Sequence, residues 1–331
     1  NLALYRRAGV LWREGPPEQN PWGLRFMAML HMANDSGLFR TREALEAEGW
    51  SLSGSRFVKG AEVMLPLIEA KMVHHLDHRF GSYEGQSQAQ ANQGKLPEFD
   101  DGMHAEPARV SLPNYWLEQD EVSKRLDSKW SRGWLLGWRD ITGTEKRRTV
   151  IASLIPRVAV GHTTPLMFPE QEPRLVAALY ANLCSFALDY AARQKVGGTH
   201  LTYGYLKQLP VLAPATYEAP CAWAPGARVV DWLLPRVLEL TYTAWDLEAF
   251  ASDVGWMGPP FRWDAARRAL LRAELDAAFF HLYGLSREDT AYILNTFPIV
   301  RKNDEKAHGE FRTHRLVLEA FDALAAAARA G

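Results

Sequence analysis

The chain has 331 residues, 38 Lys and Arg against 39 Asp and Glu, and 47% hydrophobic residues, so its formal net charge is only −1. That balance excludes a uniformly basic nucleic-acid coat, and any contact with a polyanion must come from a local concentration of cations. The apolar content suffices for real cores, the length predicts two or three domains, and no run approaches the ~18–20 consecutive apolar residues of a membrane helix.

In chain order, the segment from Trp22 to Asn34 carries Leu24, Met27, Leu30 and His31 at helical spacing, which predicts a helix stopped by Asp35-Ser36-Gly37. A second short helix is expected after Thr41. Ser53 to Ser55 reads as a hairpin turn, and the run that follows to Phe80 fits helix or strand equally. Residues 85–109 are polar and punctuated by glycine and proline, which predicts a long loop or mobile insertion.

Beyond it, Trp134 to Thr142, Thr149 to Leu154 and Arg157 to Phe168 are β-rich runs broken by Gly143, Pro156 and Pro165, which predicts a small mixed sheet. Pro173 to Gln194 is strongly helical, and the glycine pair Gly197-Gly198 is expected to end that helix. The proline-rich ATYEAPCAWAPG reads as a linker. Helices are then predicted near Asp231 to Glu239, from Asp264 to Tyr283 with Gly284 closing it, after a Ser286 cap with Asp289 three residues on, and from Phe311 to Ala328. The expected fold is α+β: a small mixed β-sheet with flanking helices, followed by a mainly helical C-terminal part. The expected domains are 1–104, 105–215 and 216–331.

Two cysteines, Cys184 and Cys221, are too few for a disulfide framework or a zinc site, which points to a reducing cytoplasm. The start NLALYRRAGV lacks a signal-peptide core. Because the first residue is Asn1, the chain is expected to be a piece of something longer, unless a leader has been removed.

Positive charge is uneven along the chain. From Lys124 to Arg157 nine Lys and Arg, among them Arg132, Arg139, Lys146, Arg147 and Arg148, face three acids, with Trp130, Trp134 and Trp138 interleaved. That mixture suits a nucleic-acid surface, and the plainer alternative is a solvated basic face over a tryptophan-rich core. A second stretch, ARQKVGGTHLTYGYLKQLPVLAP, places Arg193, Lys195 and Lys207 around Gly197, Gly198, Thr199, His200 and Tyr203. Cations suit phosphate oxygens, and glycines permit close backbone approach.

Catalytic chemistry is sparse. Neither a glycine-rich loop for S-adenosylmethionine nor an Asn-Pro-Pro-aromatic turn occurs; Asn20-Pro21-Trp22-Gly23 and Gly258-Pro259-Pro260-Phe261 are only partial imitations. His74, Asp77 and His78 are the densest set of potential metal ligands, and on a helix His74 and His78 would share a face. A stand-alone metal-dependent hydrolase using that cluster, or a protein-interaction scaffold built on the tryptophans and the alanine-rich last helix, are the alternatives to nucleic-acid binding. No serine elbow or cysteine–histidine arrangement is present.

Several stretches, NPWGLRFMAMLHMANDSGLF, PLIEAKMVHHLDHRFGSYEG, GWLLGWRDITGTEKRRTVIASLIPRVAVGHTTPL, LDYAARQKVGGTHLTYGYLKQLPVLAP and HLYGLSREDTAYILNTFPIVRKNDE, together resemble the C-terminal part of large bacterial adenine-specific DNA methyltransferases. These are the type IIG restriction-modification enzymes and related methylases of phage-defence systems of the DISARM and BREX kinds. The resemblance runs from about Asn20 to the end. It implies a target recognition domain at 105–215 that reads double-stranded DNA in the major groove, while the methyltransferase domain lies upstream in the parent chain.

On that reading the present chain carries no cofactor, S-adenosylmethionine belongs to the missing domain, and the partners are duplex DNA and that domain, with no membrane. Arg147, Arg148, Arg193, Lys195 and Lys207 are expected on phosphates. Thr199, His200, Tyr203 and residues near Arg139 and His162 are expected at base edges, with Arg132, Lys146, Gly197 and Gly198 completing the surface.

Overall fold

Short β-rich runs dominate the first half of the chain and helical periodicity the second, and the structure divides accordingly. In the computed structural model, which describes residues 1–330, the strands are β1 (Arg25–Met27), β2 (Ser51–Ser53), β3 (Arg56–Lys59), β4 (Glu62–Ile68), β5 (Trp116–Glu118), β6 (Trp134–Trp138), β7 (Ala152–Pro156), β8 (Ala159–Val160) and β9 (Leu166–Phe168). Five short helices are interspersed: α1 (Leu2–Ala8), α2 (Arg42–Ala47), α3 (Gln88–Asn92), α4 (Asp101–His104) and α5 (Gln119–Leu126).

From Pro173 onward the regular elements among the described residues are helical. They are α6 (Pro173–Leu183), α7 (Phe186–Lys195), α8 (Tyr203–Lys207), α9 (Pro214–Glu218), α10 (Val229–Thr241), α11 (Glu248–Asp253), α12 (Ala265–Leu282), α13 (Arg287–Asn295), α14 (Pro298–His308) and α15 (Arg312–Ala330). The fold is α+β with a mainly helical C-terminal region.

Two sheets share the strands. One is antiparallel throughout, in the order β1-β9-β6-β7. The other runs β2-β3-β4-β5, also antiparallel, with β8 added to β4 as a parallel pair. The expected sheet of residues 134–168 is therefore split: β6, β7 and β9 stay together and β8 joins β4. Both sheets also cross the expected boundary at residue 104, because β1 completes the first and β4 pairs with β5 and β8 in the second. One large hydrophobic core runs from Leu4 through Trp134 and Leu179 to Phe321, and a smaller one gathers Leu45, Phe57, Met64, Leu112 and Trp116.

Two local expectations are corrected. The segment from Trp22 to Asn34 is not a helix. Asn20 accepts from the Leu24 N–H (2.8 Å) and donates to the Leu24 carbonyl (3.0 Å), closing a turn, after which Arg25–Met27 fill the open edge of β9. The run after the hairpin resolves as strand to Ile68, and the segment from His74 to Asp77 is a tight turn, not a helix.

The polar stretch 85–109 is a loop with two short helices, and it is anchored. Leu96, Phe99 and His104 are buried, and Arg79, with 0% exposure, donates to the carbonyls of His104, Glu106, Arg109 and Thr243. The helix expected over 173–194 is two helices meeting at a 59° bend, with Ser185 capping the second by accepting from the Leu188 N–H. No single helix is long and apolar enough to cross a membrane.

Candidate nucleic-acid interface

Three of the segments singled out in the sequence are joined by backbone hydrogen bonds at one end of β6. Asp140 N–H donates to the Thr163 carbonyl (2.9 Å), Thr142 N–H to the Thr199 carbonyl (2.9 Å), and Leu201 N–H to the Asp140 carbonyl (2.7 Å). Ile141 and His200 form an antiparallel bridge. Segments separated by some sixty residues thus form one rim, on which Ile141, Thr144 to Arg147 and Gly197 to His200 are exposed and His162 and Thr163 half-buried. His200 Nδ1 lies 2.8 Å from Asp140 Oδ2, which orients its ring.

The glycine pair sits on this rim in a telling way. Neither Gly197 nor Gly198 has a left-handed φ, and a Cβ at either would meet nothing within 4 Å. Local backbone geometry does not demand glycine there; what the missing side chains leave is clearance toward whatever approaches from outside. Helix α7 already ends at Lys195, with Val196 as its cap, before the pair.

Other residues predicted for this surface do structural work. Arg148 is 3% exposed, with Nε on Asp189 and Nη2 donating to the Cys184 carbonyl (2.7 Å), so it cannot reach a phosphate. Arg139 turns inward: Nε donates to the Val73 carbonyl (2.8 Å), the guanidinium lies over Phe80, and burial pulls its pKa down to about 10. Arg193 donates to the carbonyls of Thr296, Lys146 and Arg147 and lies 4.1 Å from the Phe297 ring centroid, so it braces the rim loop from behind.

Tyr203 packs on Phe26 and Trp138, and burial raises its hydroxyl pKa. Lys207 pairs with Glu14 (2.5 Å) over Trp12, and Lys195 donates to Gln208 Oε1 (2.9 Å) beside Tyr5. Arg132 lies at the start of β6, the opposite end of the strand from the rim, facing Asp253 (3.5 Å). His162 stacks on His31 with ring centroids 4.8 Å apart.

The tryptophans interleaved with cations are core: Trp130, Trp134 and Trp138 are 6%, 0% and 0% exposed. Their indole N–H groups go to the Trp134 carbonyl, to Asp253 (2.8 Å) and to the Leu201 carbonyl (2.8 Å). Much of the positive charge of residues 124–157 is matched by acids from other segments, as with Arg125 on Glu121 and Asp35, Arg132 on Asp253 and Arg148 on Asp189. The exposed cations left on the rim are Lys146, whose nearest acid is Glu145 at 3.5 Å, and Arg147, which has no ion pair among the described residues.

The histidine cluster diverges. His78 Nε2 meets Asp246 Oδ1 at 2.7 Å, Asp77 meets His104 Nε2 at 3.1 Å, and the His74 ring packs between His75 and Phe80. Among the described residues no group of three or more His, Cys, Asp or Glu is arranged to hold a metal ion. Burial pushes Asp77 up and the His104 hydrogen bond more than offsets it, so its carboxyl stays below the usual range, as suits a structural acceptor.

Sequence reading had no signal for the polar interior around Arg79, Arg268 and Arg272, because a buried arginine looks like an exposed one in a string of letters. A scan against protein-family models, a search of curated proteins and a search of solved structures each found no match to this chain.

Proposed function

We propose that the chain recognises double-stranded DNA, as the C-terminal region of an adenine-specific DNA methyltransferase of a restriction-modification or phage-defence system. The observation that carries this reading is the rim itself. Two loops far apart in sequence are bonded side by side, exposing Lys146, Arg147, Thr199 and His200 around a glycine pair that local geometry does not require. Cations fix a backbone through phosphate oxygens, short polar side chains and imidazoles reach base edges, and bare glycines admit close approach.

The contact surface on this proposal is narrower than the sequence implied: Lys146, Arg147, Gly197 to His200 and the neighbouring His162, with Arg139, Arg148 and Arg193 holding the loops in place. The reaction belongs to an upstream domain using S-adenosylmethionine, into which the target adenine would be rotated while this region holds the surrounding duplex. The chain would supply the address.

The test is duplex binding by the chain and by the double variant Lys146→Glu, Gly198→Glu, followed by salt titration. Both positions are exposed, and the space beside Gly198 is open, so the fold is expected to survive. Weaker binding with a shallower salt dependence supports the proposal. An unchanged affinity removes the rim from any interface.

A further inference from the structure

A cavity of about 250 Å³ lies on the helical side of the molecule, bounded by the turn at His75, the loop at Arg147 and Arg148, the start of α7, the middle of α12 and the facing ends of α14 and α15. Its apolar wall includes Ala181, Phe186, Phe279 and Leu316. That volume lies near the small end of ligand pockets.

Charge on the walls is unbalanced. Along one face of α12, Arg268, Arg272 and Asp276 follow at four-residue spacing. Arg268 donates to the carbonyls of Leu240 and Leu76, and Asp276 accepts from the Phe186 N–H (2.8 Å). Arg272, between them, has no hydrogen bond or ion pair among the described residues, and its Nε is fully shielded from solvent. Arg147 and Arg312 line the same cavity, and their side chains likewise have no partner.

The acids at hand are otherwise engaged. Asp304 accepts from the Thr313 N–H (2.6 Å), Asp189 holds Arg148, and Asp276 is taken up by the Phe186 N–H at the start of α7. His75 also lines the wall, 6% exposed, with an unpartnered Nδ1 that donates in the Nδ1–H tautomer. Arg272 is half-buried with only its Nε wholly shielded, and a partly desolvated guanidinium without a counter-charge is costly, so an anion in the cavity would relieve it.

We propose that this cavity binds a small organic anion, its oxyanion group held by Arg272 and Arg147 with His75 nearby, and its apolar body resting on Phe186 and Phe279. Guanidinium forks match the paired oxygens of a carboxylate or phosphate, and the aromatic wall favours a ligand with a flat apolar part over a bare inorganic ion. The site meets the exposed rim at Arg147, and it does not rest on the DNA reading.

The experiment is calorimetric titration of the full chain with phenyl phosphate and with benzoate, with inorganic phosphate as the probe lacking an apolar part. Saturable one-to-one binding of either aromatic anion, tighter than inorganic phosphate and weakened at least tenfold in Arg272→Met, supports the proposal. The preferred anion then separates a phosphate ester from a carboxylate. Arg272→Met removes an unpaired charge, so it is expected to fold, and Arg147→Gln at the exposed mouth gives a second, independent reading. No saturable binding of either aromatic anion, binding that survives both substitutions, or inorganic phosphate binding as tightly as the aromatic anions overturns it. Neither substitution touches Lys146 or the glycine pair, so failure here leaves the duplex test standing.

Discussion

Asp189 shows how much one buried carboxylate can organise. It takes the Arg148 guanidinium together with the backbone N–H groups of Thr149 (2.9 Å) and Val150 (3.1 Å), tying α7 to the start of the β7 segment. Removing one partner of a buried pair strands the other, so Asp189→Ala is expected to lower unfolding free energy by about 3–5 kcal/mol in urea denaturation. A loss below about 1 kcal/mol would mean that Arg148 finds water or another acceptor.

Leu76 is a second demanding residue. Its φ of 60° is left-handed, and the turn is held by the Tyr180 hydroxyl accepting from its N–H (2.7 Å) and by Arg268 donating to its carbonyl. His75, beside it, makes stability depend on acidity. Burial, reinforced by His74, Arg148 and Arg272, holds its imidazole well below 6.5 in the native state, while the unfolded chain takes up a proton near 6.5.

That contribution is present above pH 6.5 and drains away as the pH falls, at about 1.4 kcal/mol per pH unit. Asp276 acts in the opposite sense: with its pKa raised from 3.8 to about 6, the native state gains a proton first and offsets part of the loss. Urea unfolding at several pH values below neutrality should show wild type losing more stability than His75→Gln. Parallel pH profiles would contradict this.

Among the elements, capping and register decide what periodicity alone leaves open. Ser185 converts one apolar helical stretch into two helices, and Ser286 with Asp289 forms the capping box that starts α13 where the sequence predicts it. In β6, Gly137 is a packing requirement, because a Cβ there would lie 3.0 Å from the Pro165 carbonyl oxygen and 3.1 Å from Thr164 Cγ2. Gly137→Ala is expected to push β9 away and cost about 1–3 kcal/mol, read as a lowered denaturation midpoint. An unchanged midpoint would show that the β6–β9 pair tolerates the displacement.

At the scale of the whole molecule the decisive quantity is where opposite charges meet. Counting along residues 124–157 leaves a large positive excess, yet Glu121, Asp35, Asp253 and Asp189 come from the same helix or from distant segments and match several of those cations. A duplex gripped only by the rim would therefore involve few phosphate contacts. Its log–log salt dependence should be shallow, and Lys146→Glu should reduce the slope by about 1. A steep slope unaffected at Lys146 would place the duplex on another face.

The sequence by itself determined the α+β class, the helical second half, the Thr41, Asp264 and Ser286 caps, and the hairpin after Gly49. Each of these depends on neighbours within a few residues, such as a side chain reaching the third N–H ahead or a turn between alternating strands. It also singled out Lys146 and Gly197 to His200, which the fold brings together. Tertiary structure alone decided that Arg25–Met27 would be a strand, that the sheets would cross residue 104, and that Arg139, Arg148 and Arg193 would turn inward. The physical reason is common to all three. An open strand edge, an unpaired carbonyl and a buried carboxylate are demands made by residues far away in the chain, and no local pattern of spacing or charge records them.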